Sequence, residues 1–263
     1  MTFTLQTGQT TKTIPARPGD TLLDALQRAG VTQLSAPCGG RGKCGKCRVT
    51  LPDGQSVLAC QTPAAEGMTV LLDASTASAA VAETGLDAGY SADGGAGYAL
   101  AWDLGTTTLV GHLLRRSDGA RLATVSGPNP QAAYGADVIA RISACQQGKL
   151  DQLQGLMVRR LQADAADLCR QGGIDPAQAD FAVLAGNTVM CHLVWGLDPA
   201  SIGRAPYTPL SLFGDTAPAG ELLPCPVWTA PCLAGYVGGD ILAGMIAAGL
   251  HREAAPWLYL DVG

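Results

Sequence analysis

The residues able to do chemistry begin with four cysteines, Cys38, Cys44, Cys47 and Cys60, in the spacing C-x5-C-x2-C-x12-C. Four thiolates can hold the two irons of a [2Fe–2S] cluster. Three of them share a loop with Gly39, Gly40, Gly42 and Gly45. A loop that wraps a cluster closely needs backbone conformations open mainly to glycine. Its N–H groups can then point at the sulfurs and partly offset their negative charge.

Other uses of these cysteines fit less well. Structural zinc sites usually take two C-x-x-C pairs, and only Cys44-x-x-Cys47 is present. Disulfide frameworks belong to small secreted domains, whereas nine cysteines in 263 residues, an odd number, point to a reducing compartment. The first gap is one residue longer than in the plant-type C-x4-C-x2-C cluster pattern. Gly40-x-Gly42-x-x-Gly45 matches the dinucleotide fingerprint only formally, since it does not open a helix after a strand. Arg41, Lys43, Lys46 and Arg48 crowd the loop. They either compensate the charge of the thiolates and cluster or form a docking face for an acidic redox partner. The remaining five, Cys145, Cys169, Cys191, Cys225 and Cys232, read as small buried hydrophobes.

A second constellation is Asp103-Leu104-Gly105-Thr106-Thr107-Thr108. An Asp at a strand end can hold a Mg²⁺-bound water. A tight Gly turn exposes N–H groups, and the Thr hydroxyls add donors, a combination suited to nucleotide phosphate. The plainer reading is a hairpin turn rich in a residue that favours strands. There is no G-x-x-x-x-G-K-[ST] loop. Leu258-Tyr259-Leu260-Asp261-Val262-Gly263 repeats the design of the first loop, which makes Asp261 and Gly263 its second copy. Ala185-Gly186-Asn187-Thr188 follows an apolar strand and opens a helix. Asn187 is a neutral amide and cannot take a proton from a substrate hydroxyl; it also suits a helix N-cap. Asp137 is a water-orienting or Mg²⁺-linked candidate, or simply the start of a helix. His192 reads as a packed polar residue and Asp240 as a helix cap.

The elements that must position these residues fall into three stretches. Residues 1–75 read as a β-rich module: a hairpin of Phe3–Leu5 and Thr11–Ile14, then a helix opened by Thr21-x-x-Asp24 and ended by Gly30. After the cluster loop come strands Arg48–Leu51 and Ser56–Ala59 around Pro52-Asp53-Gly54, and a closing strand Met68–Leu72. Residues 76–98 are rich in Ala, Gly and Ser without Lys or Arg, and read as a flexible linker. Residues 99–263 alternate strand and helix. Strands are expected near Leu100–Leu104, Leu109–Leu114, Arg121–Val125, Phe181–Ala185 and Leu258–Gly263. Helices are expected near Gly135–Ile142, Leu150–Gln171, Thr188–Trp195 and Asp240–Leu250, with 199–231 irregular.

The totals bound the partners. Hydrophobic residues make up 47% of the chain, enough for a buried core, and the net charge of −5 argues against nucleic acid. Residues 1–75 carry seven Lys or Arg against five Asp or Glu, while 76–263 carry ten against seventeen. No apolar run reaches the length of a membrane-spanning helix, and the N-terminus lacks the basic and apolar regions of a signal peptide. Cytoplasm is the expected compartment.

The order of elements in residues 1–75 resembles the β-grasp fold of [2Fe–2S] ferredoxins. The duplicated Asp-x-Gly strand loops resemble the acetate kinase, sugar kinase, Hsp70 and actin superfamily, in which two like lobes clamp ATP. Together with Asn129-Pro130-Gln131, Tyr134 through Ile142, Gly186 through His192, Gly196-Leu197-Asp198-Pro199 and Gly235 through Asp240, the chain resembles the reductive activators of corrinoid-dependent enzymes. The resemblance implies an α+β ferredoxin domain, a linker, and an α/β actin-like (RNase H-like) ATPase lobe with its second lobe incomplete. It implies ATP-dependent reduction of a Co(II) corrinoid to Co(I), with a [2Fe–2S] cluster and ATP/Mg²⁺ as cofactors. The implied partners are a corrinoid protein or cobalamin-dependent methyltransferase and a low-potential electron donor. Members of the family continue past the second loop with Thr-Asn-Gly-Glu. This sequence stops at Gly263, so the expectation is a truncated member that is not itself a competent ATPase. A plain ferredoxin-type electron carrier and a redox-sensing regulator are the alternatives.

Overall fold

The computed structural model describes residues 1–8, 10–31, 34, 36, 40–43, 45–72, 92–252, 254 and 256–260. Contacts divide the chain into two compact units, Met1–Ala79 with Pro130–Leu156, and Ala80–Asn129 with Met157–Gly263.

The first unit holds β1 (Thr2–Thr7), β2 (Thr10–Pro15), α1 (Leu22–Arg28), β3 (Arg48–Thr50), β4 (Ser56–Leu58) and β5 (Thr69–Leu72). Its sheet runs β2-β1-β5-β3-β4, with β5 parallel to β1 and the other neighbours antiparallel. Alternation buries Phe3 and Leu5 of β1 on one face. Thr21 starts α1 by a reciprocal cap: its hydroxyl accepts from Asp24 N (3.2 Å) and the Asp24 carboxylate accepts from Thr21 N (3.3 Å). The helix then buries Leu22, Leu23, Ala25 and Leu26 in a cluster with Phe3, Ile14, Val49 and Val70. Each of the Leu, Phe, Ile and Val side chains contributes about 1.5–3 kcal/mol. This is the element order of the ferredoxin-like expectation.

The same unit includes α2 (Val138–Gln146) and the first turns of α3 (Leu150–Gly172). Gln27 Nε2 donates to the Ala133 carbonyl, Arg41 donates to Ser143 Oγ, and Lys149 Nζ meets Asp24 Oδ1 at 3.1 Å. The expected start of α2 at Gly135 moves to Val138, because Asp137 is its cap.

The second unit holds β6 (Tyr98–Leu104), β7 (Thr108–Arg115), β8 (Arg121–Pro128), β9 (Ala179–Gly186), α4 (Thr188–Val194), β10 (Thr216–Ala217), β11 (Val227–Thr229) and α5 (Gly239–Ala247). The sheet order is β10-β11-β9-β6-β7-β8. Strands β6, β7 and β8 form an antiparallel meander, and β9 and β11 add in parallel on the other side of β6. Three antiparallel strands followed by two parallel ones fit the actin-like lobe.

Three expectations are corrected. The 199–231 stretch is not wholly irregular, since it supplies β10 and β11, and β11 pairs with β9. Over Leu258–Leu260 no strand forms: these residues pair with no strand among the described residues, and Leu258 and Leu260 stand 80% and 72% exposed. Asp240 is not the cap of α5, because Gly238 occupies that position and Asp240 lies within the first turn. The expected linker lies outside the described residues through position 91. Among the described residues, no helix is long and apolar enough to cross a membrane.

Candidate functional site

In the first unit the hairpin of β3 and β4 does the positioning. Its turn is closed by Asp53, whose carboxylate accepts from Gln55 N at 2.9 Å, and by Gly54 at φ 85°. The register Arg48↔Leu58, with Ala59 N donating to Cys47 O at 2.8 Å, brings Cys60 back beside Cys47. The two sulfurs stand 3.3 Å apart, and Cys60 and Cys47 are 6% and 1% exposed. A disulfide would need about 2.05 Å. Two thiolates on one tetrahedral metal, with bonds of about 2.3 Å, lie roughly 3.7 Å apart. The separation is too long for a disulfide and close to that of two ligands on one metal.

Gly40, Gly42 and Gly45 all adopt positive φ, at 80°, 72° and 65°, which is the wrapping backbone the cluster loop requires. Side chains would also crowd it: a Cβ at Gly42 would come within 3.2 Å of the Gln61 amide. Gln61 Nε2 in turn approaches Cys60 Sγ at 3.9 Å. These residues fit a [2Fe–2S] cluster. Arg41, Lys43, Lys46 and Arg48 of the same stretch are all exposed. Cys38 and Cys44 lie outside the described residues.

In the second unit the parallel pairing of β6 and β9, Leu104↔Gly186, sets the turns after both strands side by side. Such carboxyl ends of parallel strands are where open α/β sheets bind ligands. A Cβ at Gly105 would overlap the Thr108 carbonyl oxygen, so the β6–β7 turn closes only on glycine. Asn187 bridges the two turns. Its Nδ2 donates to Thr106 Oγ1 at 3.0 Å, and its Oδ1 accepts from Met190 N at 3.0 Å as the cap of α4. Asp103 is exposed, one residue before the end of β6.

Two further residues complete this corner. Asn129, 1% exposed, donates from Nδ2 to Gly105 O (2.8 Å), and its N–H goes to Thr107 O (2.8 Å). The sequence showed it only within a motif, with no sign of this clamp. Gly238 packs against Asn187 so closely that a Cβ there would overlap the Asn187 backbone, which puts Asp240 near the same corner.

All five of the remaining cysteines are buried. Cys191 donates to Gly186 O at 3.5 Å, beneath the Asn187 turn. Its thiol also serves Cys232, which together with Thr188 and Gly239 N–H brings the Cys232 thiol down to about 7 against the cost of burial. The hydrogen bond to Cys232 and burial push Cys191 well up. His192 is a packed residue, fully buried, its Nδ1 2.7 Å from Thr188 O and its Nε2 accepting from Leu210 N at 3.1 Å.

The structure thus brings together Asp103, Gly105, Thr106, Thr107, Thr108 and Asn187. Asp137 belongs to the other unit, where its Oδ1 accepts from Ala140 N at 2.7 Å. Asp261 and Gly263 lie outside the described residues.

Comparison with known proteins gives two family matches. The 2Fe-2S iron-sulfur cluster binding domain matches residues 6–65 and the RACo middle region matches residues 98–253. The corrinoid activation enzyme RamQ of Eubacterium limosum is 32% identical over 173 residues, 63% of this chain and 29% of that enzyme. One subunit of the Na(+)-translocating NADH-quinone reductase of Pseudoalteromonas atlantica is 49% identical over 47 residues, 18% of this chain and 11% of that subunit. Among solved structures, a reductive activator for corrinoid, iron-sulfur protein aligns over 96% of this chain and 58% of its own, with a TM-score of 0.58 at 24% identity. That likeness establishes a shared fold. The chain spans under a third of RamQ and somewhat over half of the solved activator.

Proposed function

Because the chain belongs to the RACo middle-region family, we propose that it forms the cluster module and first nucleotide lobe of a reductive activator, which takes the cobalt of a corrinoid protein from Co(II) to Co(I) with ATP. The observation that carries this reading is the union, in one chain, of a buried metal-ready pair, Cys47 and Cys60, with the clamped turn of Gly105, Thr106 and Asn187.

In this reading Cys38, Cys44, Cys47 and Cys60 hold the cluster, which when bound supplies a one-electron carrier near about −400 mV. The positive-φ glycines bring backbone close to it, and burial of the two described thiols keeps water away. Exposed Lys46 and Arg48, with Lys43 beside them, suit a docking partner of opposite charge. Asp103 and the donors of Gly105–Thr108 take nucleotide phosphate with its Mg²⁺, joined by the second loop at Asp261 and Gly263. Asn187 orients Thr106 and removes no proton. Corrinoid Co(II) is a poor electron acceptor, and each 59 mV uphill costs about 1.4 kcal/mol per electron. Nucleotide binding offsets that cost only through different affinity for the two states of the complex. The partners are then a corrinoid protein or cobalamin-dependent methyltransferase and a low-potential donor. The nine cysteines suit the cytoplasm.

The test mixes the intact protein, a low-potential reductant and a Co(II) corrinoid protein, with and without ATP, and follows Co(I) in the optical spectrum. Co(I) that rises only with ATP supports the proposal. Equal extents with and without ATP refute the coupling, and no Co(I) at all refutes the activator. The second reading is a plain electron carrier, favoured by the likeness of the cluster module to part of an NADH-quinone reductase.

A further inference from the structure

Beside Cys60 the first unit holds a polar cavity of about 230 Å³. Its walls come from two stretches far apart in sequence. Gly40, Cys60, Asp24 and Gln27 line it from the cluster module, and Tyr134 and Lys149 line it from the Pro130–Leu156 segment. Lys149 Nζ and Asp24 Oδ1 are 3.1 Å apart across a sequence separation of 125 residues, with the side chains 29% and 33% exposed. Burial alone would raise the Asp24 pKa, but hydrogen bonds from Thr21 and Lys149 take it below the usual carboxylate value. Asp24 is therefore a carboxylate, and it and Lys149 both line a cavity that Cys60 also lines.

We propose that Lys149, held by Asp24 on the wall of this cavity, sets the reduction potential of the cluster. The proposal rests on the cluster reading and not on the corrinoid one. Reduction adds one electron, taken from an external reductant, to a group that is already negative, and no bond forms or breaks. A cation nearby favours that electron and a carboxylate opposes it, and partial burial leaves their fields less screened than in bulk water. Lys149 lies within the stretch that matches the RACo middle region, so that region contributes a charge to the iron–sulfur module. The Thr21 N–H and hydroxyl bonds to Asp24 Oδ2 fix the carboxylate, which in turn fixes the ammonium.

The experiment is a dithionite titration of the cluster-loaded protein, followed by the electron paramagnetic resonance signal of the reduced cluster. Lys149→Gln removes the cation and leaves the carboxylate, so reduction becomes harder, about tenfold in the equilibrium at low salt, or about 59 mV. Asp24→Asn keeps an acceptor for Thr21 and leaves the ammonium uncompensated, so reduction becomes easier. The double variant lies between the two, Lys149→Arg stays at the wild-type value, and added salt shrinks every difference. Shifts of opposite sign support the proposal, because simple loosening of the fold would move both variants the same way. Shifts of one sign, or none in either variant, overturn it. Should Lys149→Gln fail to load a cluster, Asp24→Asn decides alone: an upward shift supports, and no shift or a downward one overturns. No corrinoid is present, so failure of the corrinoid reading leaves these potentials untouched.

Discussion

Asn187 performs two tasks that two substitutions separate. Its Oδ1 caps α4 by accepting from Met190 N, and its Nδ2 holds Thr106 Oγ1, each at 3.0 Å. Asn187→Ala removes both. Loss of the cap costs about 1 kcal/mol, and loss of a half-buried hydrogen bond costs roughly 0.5–1.5 kcal/mol. The sum is about 2 kcal/mol, which lowers the melting temperature of a unit of this size by about 4–8 °C.

Asn187→Asp behaves differently. Asp caps a helix as well as Asn does, and the Thr106 hydroxyl can turn to donate to the carboxylate. Stability should stay within about 0.5 kcal/mol. Yet the new charge sits beside the proposed phosphate turn. Two like charges about 6 Å apart at an effective dielectric of about 20 repel by roughly 3 kcal/mol. Half exposure and salt reduce this to about 1.4 kcal/mol, a tenfold loss of affinity. Calorimetric titration with Mg²⁺-ATP, run beside thermal unfolding on the intact protein, reads both quantities. Native nucleotide affinity in Asn187→Asp would refute phosphate binding at this corner. An unchanged melting temperature in Asn187→Ala would refute the structural share assigned to the two bonds.

Two further outcomes follow from the same unit. Gly105→Ala must open the β6–β7 turn, since its Cβ overlaps the Thr108 carbonyl, and the Asn129 clamp on Gly105 O is strained with it; a loss of at least about 2 kcal/mol is expected in thermal unfolding, and a wild-type melting temperature would contradict the closed turn. His192 is held neutral, burial taking its pKa below the usual 6.5 despite the bond to Thr188 O. The unfolded chain therefore binds the proton more readily, so stability is full above about pH 6.5 and falls as pH drops through that value towards the folded pKa. Melting temperatures between pH 7.5 and 5.5 should fall more steeply for the wild type than for His192→Gln, and parallel slopes would refute the assignment.

The parts of this molecule legible in its sequence are those governed by local rules. Cys47 and Cys60 meet because the Pro52-Asp53-Gly54 turn fixes the register of β3 and β4, and turn chemistry is written in adjacent residues. The cap of α1 by Thr21 and Asp24 is equally local. Strand β11 was not legible. It has three residues, Val227-Trp228-Thr229, just after Pro226, too few to show alternation, and it exists because β9 offers an edge. Leu258–Leu260 is the converse, a good strand pattern with no edge to join among the described residues, and pattern alone forms no ladder. The links Asn187 to Thr106 and Asp24 to Lys149 span 81 and 125 residues, and no periodicity foreshadows contacts of that range.

The contact of Pro130–Leu156 with the cluster module also changes how its charges should be weighed. Lys149 and Asp24 are each about a third exposed, and an ion pair in that setting contributes only about 0–1 kcal/mol. It is a weak reason for the segment to stay in the first unit. Gln27 adds a buried hydrogen bond to Ala133 O, whose loss would leave a polar group unsatisfied. Attachment and charge are thus supplied by different residues. A pair that adds little to stability still projects its field into the cavity beside Cys60, which is why exchanging its charges should move the potential of the cluster while leaving the fold almost unchanged.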